Sequence, residues 1–127
     1  MGKVVERIKL TSLFDGQKSL EVDAVIDTGA TMLALPRDMV DGLSLRKIRD
    51  ATVRYANNQM ERKSIYSAVM LECKGRRGTF DVLAEAEGSE PLVGQLVLEA
   101  LDLVVDTATR TLIPNPRSPD MPMVELL

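Results

Sequence analysis

The chain has no histidine, no tryptophan and a single cysteine, Cys73, in 127 residues. The missing imidazole removes the Ser-His-Asp triad, the Cys-His dyad and imidazole metal ligation together. One cysteine excludes an internal disulfide and any Cys-based zinc site. Two Tyr and two Phe leave few platforms on which nucleobases could stack. Positive charge is not in surplus either: 16 Lys and Arg face 19 Asp and Glu, a net charge of −3. That is no electrostatic footprint for nucleic acid, and none is expected as a partner. No apolar run approaches the roughly 18–20 residues that span a bilayer, so no membrane partner is expected. Met1 to Arg7 carry charges where the apolar core of a secretory signal would begin. Gly2 lacks the Ser or Thr that a myristoylation signal places downstream. A reducing, cytoplasmic setting is the expectation.

What is present is a globular composition, 45% hydrophobic and 28% charged. The length fits one domain that buries roughly two thirds of its unfolded surface. With histidine absent, carboxylates are the leading candidates for acid-base chemistry, ahead of Lys and Tyr.

Short alternating segments dominate the chain, separated by turn residues. Val4 to Leu13 puts Ile8, Leu10 and Ser12 on one face, and Leu20 to Ile26 resumes the pattern after Asp15-Gly16. These two read as a hairpin. Pro36 to Gly42 fits one helical turn, with Pro early and Gly at its end. Residues 43 to 56 alternate weakly, Asn57-Asn58 is a turn, and Met60 to Glu72 is a returning strand. Gly75 to Gly78 reads as a turn, with Lys74, Arg76 and Arg77 forming a solvated basic loop, and Thr79 to Ala84 as a strand. Gln95 to Leu101 has no helix breaker and predicts a helix of about two turns. Leu103 to Asp106 and Thr111 to Ile113 predict a last hairpin. Four of the six prolines lie from Pro114 to Pro122, which excludes a helix or central strand there. The expected organisation is one all-β domain over residues 1–116 and an extended or disordered Pro-rich tail over 117–127. Cys73 is expected to be buried and inert, the methionines to fill core gaps or pockets, and Glu85 to Glu90 to form an acidic loop.

Chemistry concentrates at Val25-Ile26-Asp27-Thr28-Gly29-Ala30-Thr31. Two β-branched residues bury a strand end, and an ionisable Asp follows at once. Such a carboxylate is costly unless its neighbours satisfy it. Thr adds a hydroxyl, and Gly lets another backbone approach closely. Asp-Thr-Gly is also ordinary turn chemistry, so a capping role for Asp27 stands beside a catalytic one.

The segment resembles the active-site loop of the retropepsin-like aspartic proteases. The resemblance extends through the following apolar run and Pro36 to Leu92-Val93-Gly94 before a short helix, and covers roughly residues 4 to 113. It is closest to stand-alone cellular or bacterial members. It implies a retropepsin-like acid-protease fold, a closed β-barrel-like domain with one short helix, assembled as a homodimer. By the same resemblance Asp27, Thr28 and Gly29 would be catalytic. Asp27 of each subunit would share a proton, and Thr28 would bond across the dimer axis. Ala30, Leu92 and Val93 would line the path of an extended peptide, with Gly94 packed beneath the loop. Leu92 and Val93 also read as plain core. Ala56, Asn57, Asn58 and Gln59 are the candidate flap tip, where Asn stands for the usual Gly; an ordinary exposed hairpin is the other reading.

The implied activity is an aspartic endopeptidase that activates water, with no metal and no cofactor. An alternative of another class is a retropepsin-like dimerisation or peptide-binding module with little turnover. A carboxylate metal-binding domain is more distant. Asp106-Thr107-Ala108 echoes the first motif, but Ala replaces Gly and no second apolar-apolar-Gly follows. Asp106 is therefore expected to open a turn.

Overall fold

A computed structural model of the chain describes residues 3–126. Strands β1 (Val4–Ser12) and β2 (Ser19–Ile26) form the first hairpin. Then come β3 (Leu33–Pro36), helix α1 (Arg37–Gly42), β4 (Arg46–Arg54), β5 (Met60–Cys73) and β6 (Arg76–Glu85). The last elements are β7 (Leu92–Val93), helix α2 (Gln95–Leu101), β8 (Leu103–Asp106) and β9 (Thr111–Pro114). The segment predicted as one helical turn is thus a second short helix, begun by Pro36, whose fixed φ suits a helix entry. Among the described residues no helix is long and apolar enough to cross a membrane.

Six strands close into a barrel. Their order is β1-β2-β7-β3-β6-β5, and β5 returns to β1. Closure depends on the length of β5. Its first half pairs with β4, and after an irregularity between Tyr66 and Val69 its second half pairs with β1. β4 lies outside the ring, so β4 and the start of β5 leave the barrel as a projecting hairpin. This is a closed six-stranded arrangement consistent with a retropepsin-like fold.

The core follows the alternation in the sequence. Ile8, Leu10 and Ser12 of β1 point inward, as do Ala24 and Ile26 of β2. Leu33 and Leu35 of β3, Val69 and Leu71 of β5, and Val82 and Ala84 of β6 meet them. Helix α2 buries Val97, Leu98 and Leu101 against this core. Met60 and Met121 are exposed and fill no gap in it. Cys73 is buried, and burial pushes its thiol up to about 11, so it is unreactive at ordinary pH.

The basic turn differs from expectation. The chain reverses at Lys74 and Gly75, both at positive φ, and Arg76 already belongs to β6. Arg76 is buried. Its guanidinium donates to the carbonyls of Leu101 and Asp102 at 3.0 and 2.9 Å, and to the carbonyl of Ser118. Asp102 caps α2 in the left-handed region, at φ 53°, and is buried too. Its carboxylate accepts from the Ser118 hydroxyl at 2.6 Å, Arg117, the Asn115 amide and the Met123 backbone N–H. Residues 115–123 therefore form no helix or strand, as expected, but they are fastened to the barrel.

The Ser118 hydroxyl, then Arg117 and the Met123 amide, hold the Asp102 carboxyl well below the ordinary 3.8 of an aspartate. A depressed carboxylate stabilises the fold in full above its unfolded pKa and ceases to do so as pH falls through its folded value. Asp102→Asn should melt below the parent at neutral pH, and the gap should narrow once pH drops below about 3.8. Thermal melts from pH 7 to pH 2 check this; a gap that is constant with pH would mean that the ionised carboxylate contributes nothing.

Candidate active site

Asp27 stands one residue past the end of β2 and is exposed. Its position is set by β7, which runs between β2 and β3. Val25 and Ile26 pair in parallel with Leu92 and Val93, and Leu92 pairs with Ala34 of β3 on the other side. The Asp27 backbone N–H donates to the Val93 carbonyl at 2.9 Å. Two loop carbonyls point the other way and accept from the start of α2: Ala30 from the Gln95 N–H at 2.8 Å, and Thr31 from the Leu96 N–H at 3.0 Å. The loop over residues 27–31 is thus held at both ends by the Leu92-Val93-Gly94 segment and the helix that follows it.

Gly94 is where the two motifs touch. A β-carbon there would lie 2.5 Å from the Met32 carbonyl oxygen and 2.6 Å from the Thr31 carbonyl carbon. No side chain fits against backbone at that distance. Within the loop, the Gly29 N–H donates to Asp27 Oδ1 at 2.9 Å, and the Ala30 N–H to the Asp27 carbonyl at 3.1 Å. A β-carbon on Gly29 would come 3.2 Å from the same carboxylate oxygen. Glycine therefore donates its amide while leaving the approach to the carboxylate open.

Leu92 and Ala30 are half-buried. Val93 is not a wall residue: it is 2% exposed within the core. Successive residues of a strand face opposite ways, so Leu92 facing outward puts Val93 inward. What Val93 supplies is its carbonyl, bonded to Asp27. Ala34 is half-buried and pairs directly with Leu92. It can be read from the sequence once Leu33 and Leu35 are taken as inward-facing.

Ala56, Asn57, Asn58 and Gln59 form the exposed tip of the β4–β5 hairpin. Asn58 occupies the left-handed region at φ 66°. The tip is closed by Tyr55 N–H to Gln59 O and Asn58 N–H to Tyr55 O, both 2.9 Å, and by Gln59 N–H to Asn57 Oδ1 at 3.0 Å. Among the described residues no hydrogen bond links these four to the loop at Asp27. Asp106 also does as expected: it opens the β8–β9 turn, with Oδ1 accepting from Ala108 N–H at 3.0 Å and its carbonyl from Arg110 N–H at 2.8 Å. Among the described residues no group of three or more Asp, Glu or Cys side chains converges as a metal-ligand set.

Residues 11–97 match the family model described as aspartyl protease. The chain belongs to this family, and the matched span contains both the Asp27-Thr28-Gly29 loop and Leu92-Val93-Gly94. No curated protein matches the chain.

The contact at Gly94 makes a stability prediction. Gly94→Ala must displace the backbone of Thr31 and Met32, which overpacking data put at about 1–3 kcal/mol or more. Gly16→Ala, where a β-carbon meets nothing within 4 Å, is the control. Urea unfolding of both variants decides; equal midpoints would show that the loop is not wedged against Gly94.

Proposed function

We propose that the protein is an aspartic endopeptidase working as a homodimer, with one Asp27 from each subunit. The observation that carries this reading is the exposed Asp27 carboxylate on a loop whose backbone is wedged against Gly94. Peptide hydrolysis needs a base to activate water and an acid to protonate the carbonyl oxygen and then the leaving amine. Two carboxylates held close cannot both ionise easily, so they share a proton and supply both roles. The chain has one Asp-Thr-Gly loop, and a two-fold pairing brings the second.

The surface beside the loop supports a partner. Thr28 is exposed, and Leu96, whose amide is bonded to Thr31, is 52% exposed. In the proposed dimer Thr28 bonds across the axis and Leu96 is covered. An extended peptide runs past Ala30, Ala34 and Leu92 and pairs with the hairpin backbone over Ala56 to Gln59. Water is the nucleophile, and the scheme uses neither a metal nor a covalent intermediate. The setting we infer is cytoplasmic, where Cys73 stays reduced.

Cleavage of a peptide library tests the reading. Asp27→Asn should lower turnover by roughly 10³-fold or more, because an amide removes the shared proton at constant shape. Asp106→Asn should keep most activity, since its carboxylate is committed to a turn. Equal loss in both folded variants would overturn the assignment. The pH profile should be bell-shaped, with its maximum on the acidic side of neutral.

Specific activity should fall on dilution in step with dissociation followed by analytical ultracentrifugation. An active monomer at every concentration would remove the shared-dyad model.

A further inference from the structure

β5 and β6 pair in register at Tyr66 with Val82 and Ile65 with Leu83. Beyond that point the sheet forks. β6 continues to Glu85, held on its other edge by Pro36 of β3. The start of β5 turns away and pairs with β4 alone, from Ser64 out to Met60. Among the described residues no ladder pairing crosses the gap, so the angle of the projecting hairpin is left to side chains.

Two side chains span the fork, and both end on Glu85. Lys63 Nζ lies 3.2 Å from Glu85 Oε1, with the two side chains 20% and 22% exposed. That is far more shielded than the surface pair Lys3–Glu90, at 63% and 64%, where solvent screening leaves little net attraction. From the hairpin tip, the Tyr55 hydroxyl donates to both Glu85 oxygens, at 3.0 and 3.1 Å. Burial, then Glu85, pushes that hydroxyl up to about 12, so it remains a donor at any working pH. Hydrogen bonds to a charged group are the stronger kind, worth about twice a neutral one.

We propose that Glu85 is the tether of the β4–β5 hairpin: Tyr55 and Lys63 bind it across the fork and set how far the hairpin stands from the wall formed by Ala34 and Leu92. All three are positioning residues. The link to substrate rests on the proposed protease function, because the clearance is that of an extended peptide between hairpin and wall. The tether itself is a property of the fold.

The test combines amide hydrogen exchange of the full chain with steady-state cleavage of a peptide. Tyr55→Phe keeps the ring and removes the donor. Glu85→Ala removes both attachments, and Glu85→Gln keeps an acceptor but not the charge. Amides of residues 50–64 should exchange roughly tenfold faster in Tyr55→Phe and Glu85→Ala, with a smaller effect in Glu85→Gln. Amides of β1 and β2 should be unchanged. KM should rise severalfold with kcat nearly constant, as for lost uniform binding.

Unchanged exchange over 50–64 in Tyr55→Phe would overturn the tether. Acceleration spread evenly over the barrel would overturn it as well, since that reports general destabilisation. A loosened hairpin with unchanged KM would overturn its role in clearance. A parent chain that cleaves no peptide, with the exchange pattern as expected, would defeat the protease reading and support the tether as a structural device.

Discussion

The backbone contact between Gly94 and Thr31–Met32 is the constraint on which the rest of the molecule depends. β7 has two residues, yet it is the strand that joins β2 to β3 and so completes the ring. A pair of residues contributes little ladder energy alone. Its placement is secured by what surrounds it: the Val93 carbonyl bonded to Asp27, the α2 amides bonded to the loop, and Gly94 pressed against the loop backbone. The same contact therefore closes the barrel and fixes the carboxylate. In energetic terms this is a firm base, since the loop is bonded through backbone at Asp27, Ala30 and Thr31.

The hairpin opposite is built on a different principle. Its two strands pair with each other over residues Arg46 to Ser67, and Asp50 adds cross-strand bonds from Arg62 and Ser64, while Lys47 and Arg62 hold its carboxyl down at about 2. Past Ile65, however, it meets the barrel through side chains. A backbone ladder is lost only by unfolding, whereas two side-chain contacts can break and reform on the timescale of loop motion. The loop at Asp27 is therefore fixed by backbone, and the outer hairpin by side chains.

Much of this was legible in the sequence. The period-two alternation placed Ile8, Leu10 and Ser12 inward because a strand has no other way to bury one face. Absence of breakers from Gln95 to Leu101 marked α2 along its observed length. Asp-Thr-Gly and Leu-Val-Gly could be found because each requires a particular residue type at a backbone close approach. Contacts between residues distant in sequence were not legible. Arg76 looked like a member of a solvated basic turn, and nothing local shows that three carbonyls from α2 and the tail converge on it. Asp102 had a local clue, since Asp tolerates the left-handed position after a helix. Its burial depends on Asn115, Arg117 and Ser118, whose arrival no periodicity predicts. The tail was read from its prolines, which exclude regular structure but do not exclude docking. For Val93 the motif leaves wall and plain core open, and the strand's own alternation, which turns adjacent residues to opposite sides, decides for core.

Three aspartates follow apolar runs in this chain, and their surroundings give them three different fates. Asp102 is buried and surrounded by donors, so its charge is spent in holding the tail. Asp106 accepts from two amides of its own turn. Asp27 makes the same side-chain bond as Asp106, accepting from the amide two residues on, and its carbonyl likewise accepts within the turn, from the third amide on rather than the fourth. Local turn chemistry therefore cannot distinguish the two. The distinction lies in packing: Asp27 has glycine at the second position and a second glycine beneath its loop, while Asp106 has alanine and sits at the turn of a separate two-stranded sheet. The carboxylate of Asp102 is held below the ordinary aspartate range, so the tail stays fastened in mildly acidic solution.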